Sequence, residues 1–328
     1  MDSLYSLVRN DWKMEELAEF CDMPLFDLVF RAASVYRNFH DPNKIQIGCI
    51  ISVKTGGCPE NCKYCPQSSY YETGTKAEAM MPLEEVLRLA QRAIDNGATR
   101  ICLAAAWKSP RAGKQFDNVL KMIEEINAMG VEVCCTLGML KEEAAQQLKA
   151  AGMHSYNHNL DTSSNYYPQI ITTRTYQDRL DTLDVLDKVG LNVCCGGIIG
   201  LGESREDRLA LLHTLATRSR HPDSVPINML TAVPGTPLGE QPPISFWELL
   251  RMVAIARILM PRAMVRLSSG RSKLTDAEQA LCFLAGANSF HSGKKLLVTP
   301  TNDFDQDDQM MALFGLTKLE PFSTSKRE

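Results

Sequence analysis

The spacing of apolar and polar residues changes repeatedly along the chain. From about Lys44 onward, short runs rich in β-branched residues alternate with longer stretches whose apolar residues recur every three or four positions. The short runs have the length of buried strands, and the longer stretches have the period of amphipathic helices. Repeated strand–helix units predict an α/β fold. A TIM-type (β/α)8 barrel is favoured, and a doubly wound open sheet is the alternative.

Eight runs are predicted to form the strands. They are Ile45–Val53, Thr99–Ala105, Val131–Leu137, His154–Leu160, Leu191–Ile199, Ser224–Leu230, Ala263–Ser268 and a last run near Lys295–Val298. The apolar period that runs from Leu83 to Ile94 predicts a helix, and Gly97 follows it where a C-terminal glycine is common. Similar apolar stretches precede Gly190 and Pro261 and predict two further helices.

The length of 328 residues suits one large α/β barrel. We expect a helical extension over residues 1–40, the barrel over 41–317 and a polar tail over 318–328.

Composition and charge indicate which class of molecule the protein binds. Hydrophobic residues make up 45% and charged residues 23% of the chain, as in a globular protein with a sizeable core. The net charge of −4 gives no basic footprint for nucleic acid or an anionic membrane. Because no apolar run is long enough to span a bilayer, we expect a cytoplasmic protein that acts on a small molecule.

Three cysteines carry the strongest chemical signal. Cys58, Cys62 and Cys65 form a C-x3-C-x2-C run directly after the first predicted strand, on the rim where barrel enzymes place their catalytic groups. A structural zinc site normally has four ligands, whereas three thiolates on a four-iron cluster leave one iron open. The pattern therefore favours an iron–sulfur cluster, with zinc or a disulfide as the alternatives.

Further cysteines fall inside predicted strands. Cys102, one of Cys134 and Cys135, one of Cys194 and Cys195, and Arg266 lie on the second, third, fifth and seventh strands. Since adjacent strand residues face opposite sides, only one member of each doublet can point into the barrel. A second metal centre is one interpretation, and ordinary packing of buried thiols is the other.

Polar residues also gather at predicted strand ends. Asn157, Asn159 and Asp161 alternate along the fourth strand and would all face inward, where they could bind a ribose diol or a urea-like group. Asn228 lies near the end of the sixth strand, where its role is either ligand binding or structural capping.

With these residues together, the chain resembles the biotin synthase family of radical S-adenosylmethionine enzymes from about residue 15 to 317. The matching stretches are SVKTGGCPENCKYCPQSS, AAAW, YNHNLDTS, IITTRTYQDRLDTL, GGIIGLGE, SVPINML, VRLSSGR and AGANS. The resemblance implies a homodimeric barrel enzyme, a sulfurtransferase that converts dethiobiotin to biotin by radical chemistry, with electrons from a flavodoxin- or ferredoxin-like protein.

The resemblance also implies residue roles. Cys58, Cys62 and Cys65 would hold a [4Fe-4S] cluster that binds and cleaves S-adenosylmethionine, giving a 5′-deoxyadenosyl radical. Cys102, Cys134, Cys194 and Arg266 would hold a [2Fe-2S] cluster that donates sulfur. Asn159 and Asp161 would contact the ribose of the cofactor, Arg179 its carboxylate, and Asn157, Asn159 and Asn228 the ureido ring of the substrate. No side chain is expected to act as an acid or base.

The chain departs from the family at two kinds of position. Cys135 and Cys195 stand beside the expected ligands, where the family has other residues, and NSFHSGKKLLVTP replaces the usual IFYG…KLLTTP wording. Two other functions stay open on the residues alone: a different radical reaction on the same barrel, and a nonenzymatic iron–sulfur or zinc-stabilised binding protein.

Overall fold

The computed structural model describes residues 7–320. Two helices, α1 (Met14–Asp22) and α2 (Leu25–Phe39), precede the first strand. The strands that follow are β1 (Lys44–Lys54), β2 (Arg100–Ala105), β3 (Glu132–Thr136), β4 (Ser155–Asn157), β5 (Asn192–Cys194), β6 (Gly197–Ile199), β7 (Ser224–Met229), β8 (Met264–Leu267), β9 (Ser289–His291), β10 (Lys295–Leu296), β11 (Thr299–Pro300) and β12 (Thr317–Lys318).

Helices alternate with these strands along the chain. They are α3 (Leu83–Asp95), α4 (Lys114–Ala128), α5 (Glu142–Ala150), α6 (Tyr167–Ile170), α7 (Tyr176–Val189), α8 (Arg205–Ala216), α9 (Phe246–Leu259), α10 (Asp276–Leu284) and α11 (Phe304–Phe314). The predicted stops are confirmed: Gly97 follows α3 and Gly190 caps α7, both with the positive φ that favours glycine, and α9 ends before Pro261.

The parallel strands close into a barrel. Their order is β1-β2-β3-β4-β5-β7-β8-β9, β6 extends the pairing with β7, and β9 returns to pair with β1. This closure confirms the TIM-type barrel and excludes the open sheet. Buried apolar residues fill the layer between the strands and the surrounding helices, with Ile45, Leu103 and Val133 among them.

The eighth barrel strand is not the one that the sequence predicts. Lys295–Val298 was the expected strand, but Lys295–Leu296 instead pairs antiparallel with β11 in a small hairpin. Ser289–His291 closes the barrel between β1 and β8, and all three of its side chains are buried. Burial on both faces decides which segment enters the barrel, and Lys295 is exposed.

The fifth predicted strand is interrupted. Leu191–Ile199 reads as one run, yet it forms β5 and β6 with a break at Cys195–Gly196. A Cβ atom on Gly196 would collide with the backbone carbonyl of Pro226 on β7, so the chain can bend here only without a side chain.

The helical extension packs against two of the helices that surround the barrel. Helix α2 lies along α9, and α1 contacts α8 and α9. The proposed boundaries at 40/41 and 317/318 stay predictions. Strand β12 crosses the second of them, and residues 1–6 of the extension and 321–328 of the tail lie outside the described residues. Within residues 7–320, no helix is both long and apolar enough to cross a membrane.

Candidate active site

One cavity of about 320 Å³ opens at the carboxyl ends of the barrel strands. Every predicted site residue lines it: Cys58, Cys62, Cys65, Cys102, Cys134, Asn157, Asn159, Asp161, Arg179, Cys194, Asn228 and Arg266. These residues fall into two groups, one at the rim of the cavity and one deep inside the barrel.

The rim group is a loop whose backbone hydrogen bonds fix the three thiols. The Cys58 N–H donates to the Gln67 carbonyl at 2.9 Å, and the Cys65 N–H donates to the Cys62 carbonyl at 2.9 Å. Burial raises the pKa of each thiol, and the neighbouring Cys62 helps to raise that of Cys65 to about 12. Burial therefore keeps these groups as neutral thiols, and a bound metal would be needed to hold them as thiolates.

Charged residues that the sequence analysis missed surround this loop. Arg174 Nη2 lies 3.6 Å from Cys62 Sγ, and Arg174 Nε lies 3.5 Å from Glu60 Oε2. Lys108 Nζ contacts the other oxygen of Glu60 at 3.3 Å. Glu60 stands within the cysteine loop and Arg174 within the TTRT stretch, so both were visible in the sequence, but only the fold shows that they meet.

Asp161 and Arg179 form a buried ion pair beside the rim. The Arg179 Nη2 group donates to Asp161 Oδ2, and its Nε donates to Tyr167 Oη at 3.1 Å. Although burial lowers it, the negative charge of Asp161 holds the pKa of Arg179 above its ordinary value. Two of the three residues expected to contact S-adenosylmethionine therefore pair with each other.

Cys102, Cys134 and Cys194 converge inside the barrel and form a separate cluster with Ile50. Cys102 and Cys134 are direct neighbours on β2 and β3. The hydrogen bond that Cys134 donates to Cys102 and burial together raise the pKa of Cys134 to about 12. Cys135 and Cys195 face the outer core instead. All eleven cysteines of the chain are free thiols.

Arg266 closes the deep group on the far side. Its Nη1 lies 3.6 Å from Cys194 Sγ, while its Nε donates to Ser289 Oγ and its Nη2 to Gln46 Oε1, both at 2.9 Å. Gln46 in turn donates to Glu132. Of the three nitrogens of the guanidinium, only Nη1 is left to face the sulfur atoms.

Below the thiols lies a buried polar network, which we call the basal network: Gln46, Arg100, Glu132, Arg266 and Ser289. Arg100 Nε donates to Glu132 Oε2 at 2.6 Å, and both side chains are almost fully buried. Although burial lowers it, Glu132 holds the pKa of Arg100 above its ordinary value, and the three thiols act in the same direction. The sequence analysis missed Arg100 and Glu132, because a charged residue at a strand start ordinarily faces solvent.

The predicted amides line the same cavity. Asn157 Nδ2 lies 3.2 Å from Cys194 Sγ, and Asn159 Oδ1 accepts from the Gly196 N–H at 3.1 Å. Asn228 donates to the Gly197 carbonyl and accepts from the Ser269 N–H. Asn228 is thus held by backbone at both ends, and one amide hydrogen stays available to a ligand.

His291 also lines the deep part of the cavity, and the sequence analysis did not single it out. Its Nε2 lies 3.7 Å from Cys102 Sγ, and its Nδ1 lies 2.8 Å from Ser268 Oγ. The only indication of His291 in the sequence was its place in NSFHSGKKLLVTP, the segment that differs from the usual sequence of the family.

The donor sets fit iron–sulfur clusters. Within residues 7–320, no three His, Cys, Asp or Glu side chains are placed to hold a single metal ion. A cluster is larger than an ion and takes thiolates that stand further apart. The rim supplies three thiols, and the deep group supplies three thiols with one guanidinium.

A closed barrel with a three-cysteine rim loop defines the class of radical S-adenosylmethionine proteins. The Radical SAM superfamily model matches residues 52–215, and the Biotin and Thiamin Synthesis associated domain matches residues 226–317. The fold resembles methylornithine synthase, with a TM-score of 0.81 at 16% identity over 97% of this chain and 98% of that chain.

Curated relatives identify the family. The chain is 51% identical to the biotin synthase of Cytophaga hutchinsonii over 96% of this chain and 94% of that protein. It is 54% identical to the mitochondrial biotin synthase of Arabidopsis thaliana over 95% of this chain and 83% of that protein. The chain belongs to the biotin synthase family.

Proposed function

We propose that this protein converts dethiobiotin to biotin by radical insertion of sulfur. The observation that carries the proposal is that one cavity contains both a rim set of three thiols and a deep set of three thiols with Arg266. When bound, a four-iron cluster on the rim supplies the electron that cleaves S-adenosylmethionine, and a two-iron cluster on the deep set supplies the sulfur.

Residues of the rim and of β4 would bind the cofactor. Cys58, Cys62 and Cys65 would hold the four-iron cluster. Arg179 offers a buried positive charge for the carboxylate of the cofactor, while Asp161 and Asn159 offer oxygen acceptors for its ribose hydroxyls.

The substrate would lie between the two thiol groups. Asn157, Asn159 and Asn228 present amides that match the donors and acceptors of a ureido ring. Because Asn157 also reaches Cys194, a substrate held by this amide would lie next to the deep thiols. Small side chains at Ala104–Ala106 leave room for the ligand, and Leu296–Val298 of the hairpin add apolar side chains to the lining of the cavity.

Cys102, Cys134, Cys194 and Arg266 would hold the two-iron cluster. Arginine is an unusual ligand because its guanidinium normally lacks a free lone pair. Here two of its nitrogens are committed to Ser289 and Gln46, so the third is held in a fixed position toward Cys194. Pairing into a homodimer, reduction by a flavodoxin- or ferredoxin-like protein and a cytoplasmic location stay predictions.

Two alanine variants test the proposal after anaerobic reconstitution. Cys58→Ala should abolish release of 5′-deoxyadenosine and formation of biotin. Cys102→Ala should retain release of 5′-deoxyadenosine from S-adenosylmethionine but lose most biotin formation, since its thiol belongs to the sulfur-donating set. Cys282→Ala, a buried thiol outside the cavity, is the matched control and should keep both activities. Equal loss of deoxyadenosine release in both cavity variants would contradict the separate roles.

A further inference from the structure

His291 lies at the end of β9, and its ring points into the deep part of the cavity. The side chain is buried, with 7% of the residue exposed. Both ring nitrogens have partners: Nδ1 lies 2.8 Å from Ser268 Oγ and Nε2 lies 3.7 Å from Cys102 Sγ. The ring is therefore held in one orientation, with Nε2 directed at a sulfur that the proposed function assigns to the two-iron cluster.

The neighbouring strand leaves space for this ring. Gly48 of β1 is paired with His291, and a Cβ atom on Gly48 would come within 2.9 Å of His291 Cδ2. The backbone of Gly48 does not have a positive φ, so its conformation does not require glycine. A larger residue at position 48 would occupy the space beside the imidazole.

Two nitrogen groups bracket the three thiols. Arg266 Nη1 lies 3.6 Å from Cys194 Sγ at one end, and His291 Nε2 lies 3.7 Å from Cys102 Sγ at the other. Cys134 lies between the two outer thiols and contacts both. Arg266 completes the set of four ligands in the proposed function, so the imidazole is left as a neighbour of Cys102.

We propose that His291 donates a hydrogen bond from Nε2 to the sulfur of Cys102 and so raises the reduction potential of the two-iron cluster, an inference that rests on the proposed function. Ser268 Oγ donates to Nδ1 and keeps the proton on Nε2. A hydrogen bond to a cluster sulfur stabilises the reduced form, because that form carries more negative charge. His291 is a positioning residue that acts through Cys102.

The test is a potentiometric titration of the full chain after anaerobic reconstitution with iron and sulfide, followed by visible absorption and electron paramagnetic resonance. His291→Phe keeps a ring but removes the donor. At a fixed applied potential, its reduced-to-oxidised ratio for the two-iron cluster should fall about tenfold, which corresponds to about 59 mV for one electron. His291→Gln keeps an N–H group and should recover part of this shift.

Two controls separate a local effect on the potential of the two-iron cluster from a general effect on the protein. Ser292→Ala changes the next residue, which is buried outside the cavity with no hydrogen bond to its hydroxyl, and should leave the potential unchanged. The four-iron cluster in the same sample should keep its potential in all three variants. Thermal melting checks that each variant is folded.

Three results would count against the inference. If the wild type and His291→Phe both hold an intact two-iron cluster with the same potential, the inference about His291 is wrong and the proposed function stands. Strong nitrogen hyperfine coupling that disappears in His291→Phe would show direct ligation of iron by His291 and would also overturn the inference. Absence of a two-iron cluster from the wild type would overturn the proposed function as well, and this outcome is distinguishable from the other two.

Discussion

Adjacent cysteines face two different environments, both within β3 and at the end of β5. Cys134 and Cys194 point into the barrel with Cys102, whereas Cys135 and Cys195 pack into the apolar layer beneath the helices. The alternation of side chains along a strand produces this separation, so neighbours of the same chemical type have different neighbours in space. The sequence predicted that only one of each pair could point inward, and the structure identifies which one.

Substitutions within one doublet should separate cluster assembly from packing. Cys134→Ala should prevent assembly of the two-iron cluster, while Cys135→Ala should leave it intact and lower the free energy of unfolding by about 1 kcal/mol, since it removes one buried sulfur. Iron and sulfide content after reconstitution, together with urea unfolding, measures both effects. Normal cluster content in Cys134→Ala would contradict the assignment.

Neutralising Glu132 should destabilise the barrel strongly. Glu132→Gln would leave the guanidinium of Arg100 buried beside an uncharged partner, and loss of one member of a buried pair costs about 3–5 kcal/mol. Glu142→Gln, which breaks an exposed pair with Lys188, is the matched control and should cost less than about 1 kcal/mol. Equal unfolding free energies for the two variants would refute the expectation.

Helix α7 links a local cap to the cofactor site. Its N-cap, Thr175, accepts from the Asp178 N–H at 3.1 Å, and the Asp178 carboxylate accepts from the Thr175 N–H at 2.7 Å. One residue further along, Arg179 points into the cavity. The position of this charge therefore depends on the order of the first helical turn.

Removing the cap of α7 should weaken cofactor binding as well as stability. Thr175→Ala should cost about 1 kcal/mol and weaken S-adenosylmethionine binding a few-fold. Thr275→Ala removes the same kind of cap from α10, which contributes no residue to the cavity, and should cost a similar free energy with unchanged binding. Calorimetry on the reconstituted protein and denaturant unfolding distinguish the two. A binding loss of equal size in both variants would argue against a local role.

Most elements could be predicted because their hydrophobic period is long enough to read. Helices α3, α7 and α9 have clear apolar repeats and recognisable stops. The prediction of the eighth strand was wrong for the opposite reason. Ser289–His291 is three residues long with two polar members, whereas the nearby LLV run looks more like a strand. Only closure of the barrel against β1 decides between the two segments.

The helical extension is joined to the barrel through a half-buried histidine. His40 follows α2, and its Nε2 lies 3.0 Å from both Arg257 Nη1 and the Pro261 carbonyl. Burial and the neighbouring Arg257 lower the pKa of His40 to about 4. The folded protein therefore holds this imidazole neutral at a pH where an unfolded chain would protonate it.

Stability should fall as the pH drops from about 6.5 toward 4. The pKa of His40 is depressed in the folded state, so its contribution is present above the unfolded pKa and is lost as the pH falls toward the folded pKa. The total is on the order of 3 kcal/mol. Urea unfolding between pH 6.5 and 5, above the range of most carboxylates, should show this slope together with that of His158 and His291, whose pKa burial also lowers, and His40→Gln should reduce it. An unchanged slope in His40→Gln would contradict the prediction.

The candidate site was predictable where one residue type repeats at a fixed spacing. The rim cysteines lie in one loop. Cys102, Cys134, Cys194 and Arg266 each lie within a predicted strand. Apart from Arg266, the residues of the basal network were not predictable, and neither was His291, because their partners lie on other strands. Arg100 and Glu132 meet only through the register of β2 and β3. A contact of this kind depends on pairing that no local pattern specifies.

The basal network also bears on how the deep thiols would be loaded. Its ion pair and hydrogen bonds lie at the amino-terminal ends of the strands, on the side of the deep thiols away from the rim loop. The rim loop and the residues proposed to bind the cofactor line the other side of the same cavity. If the deep thiols hold the proposed two-iron cluster, iron and sulfide that enter from the rim would have to reach them before cofactor and substrate fill the space between.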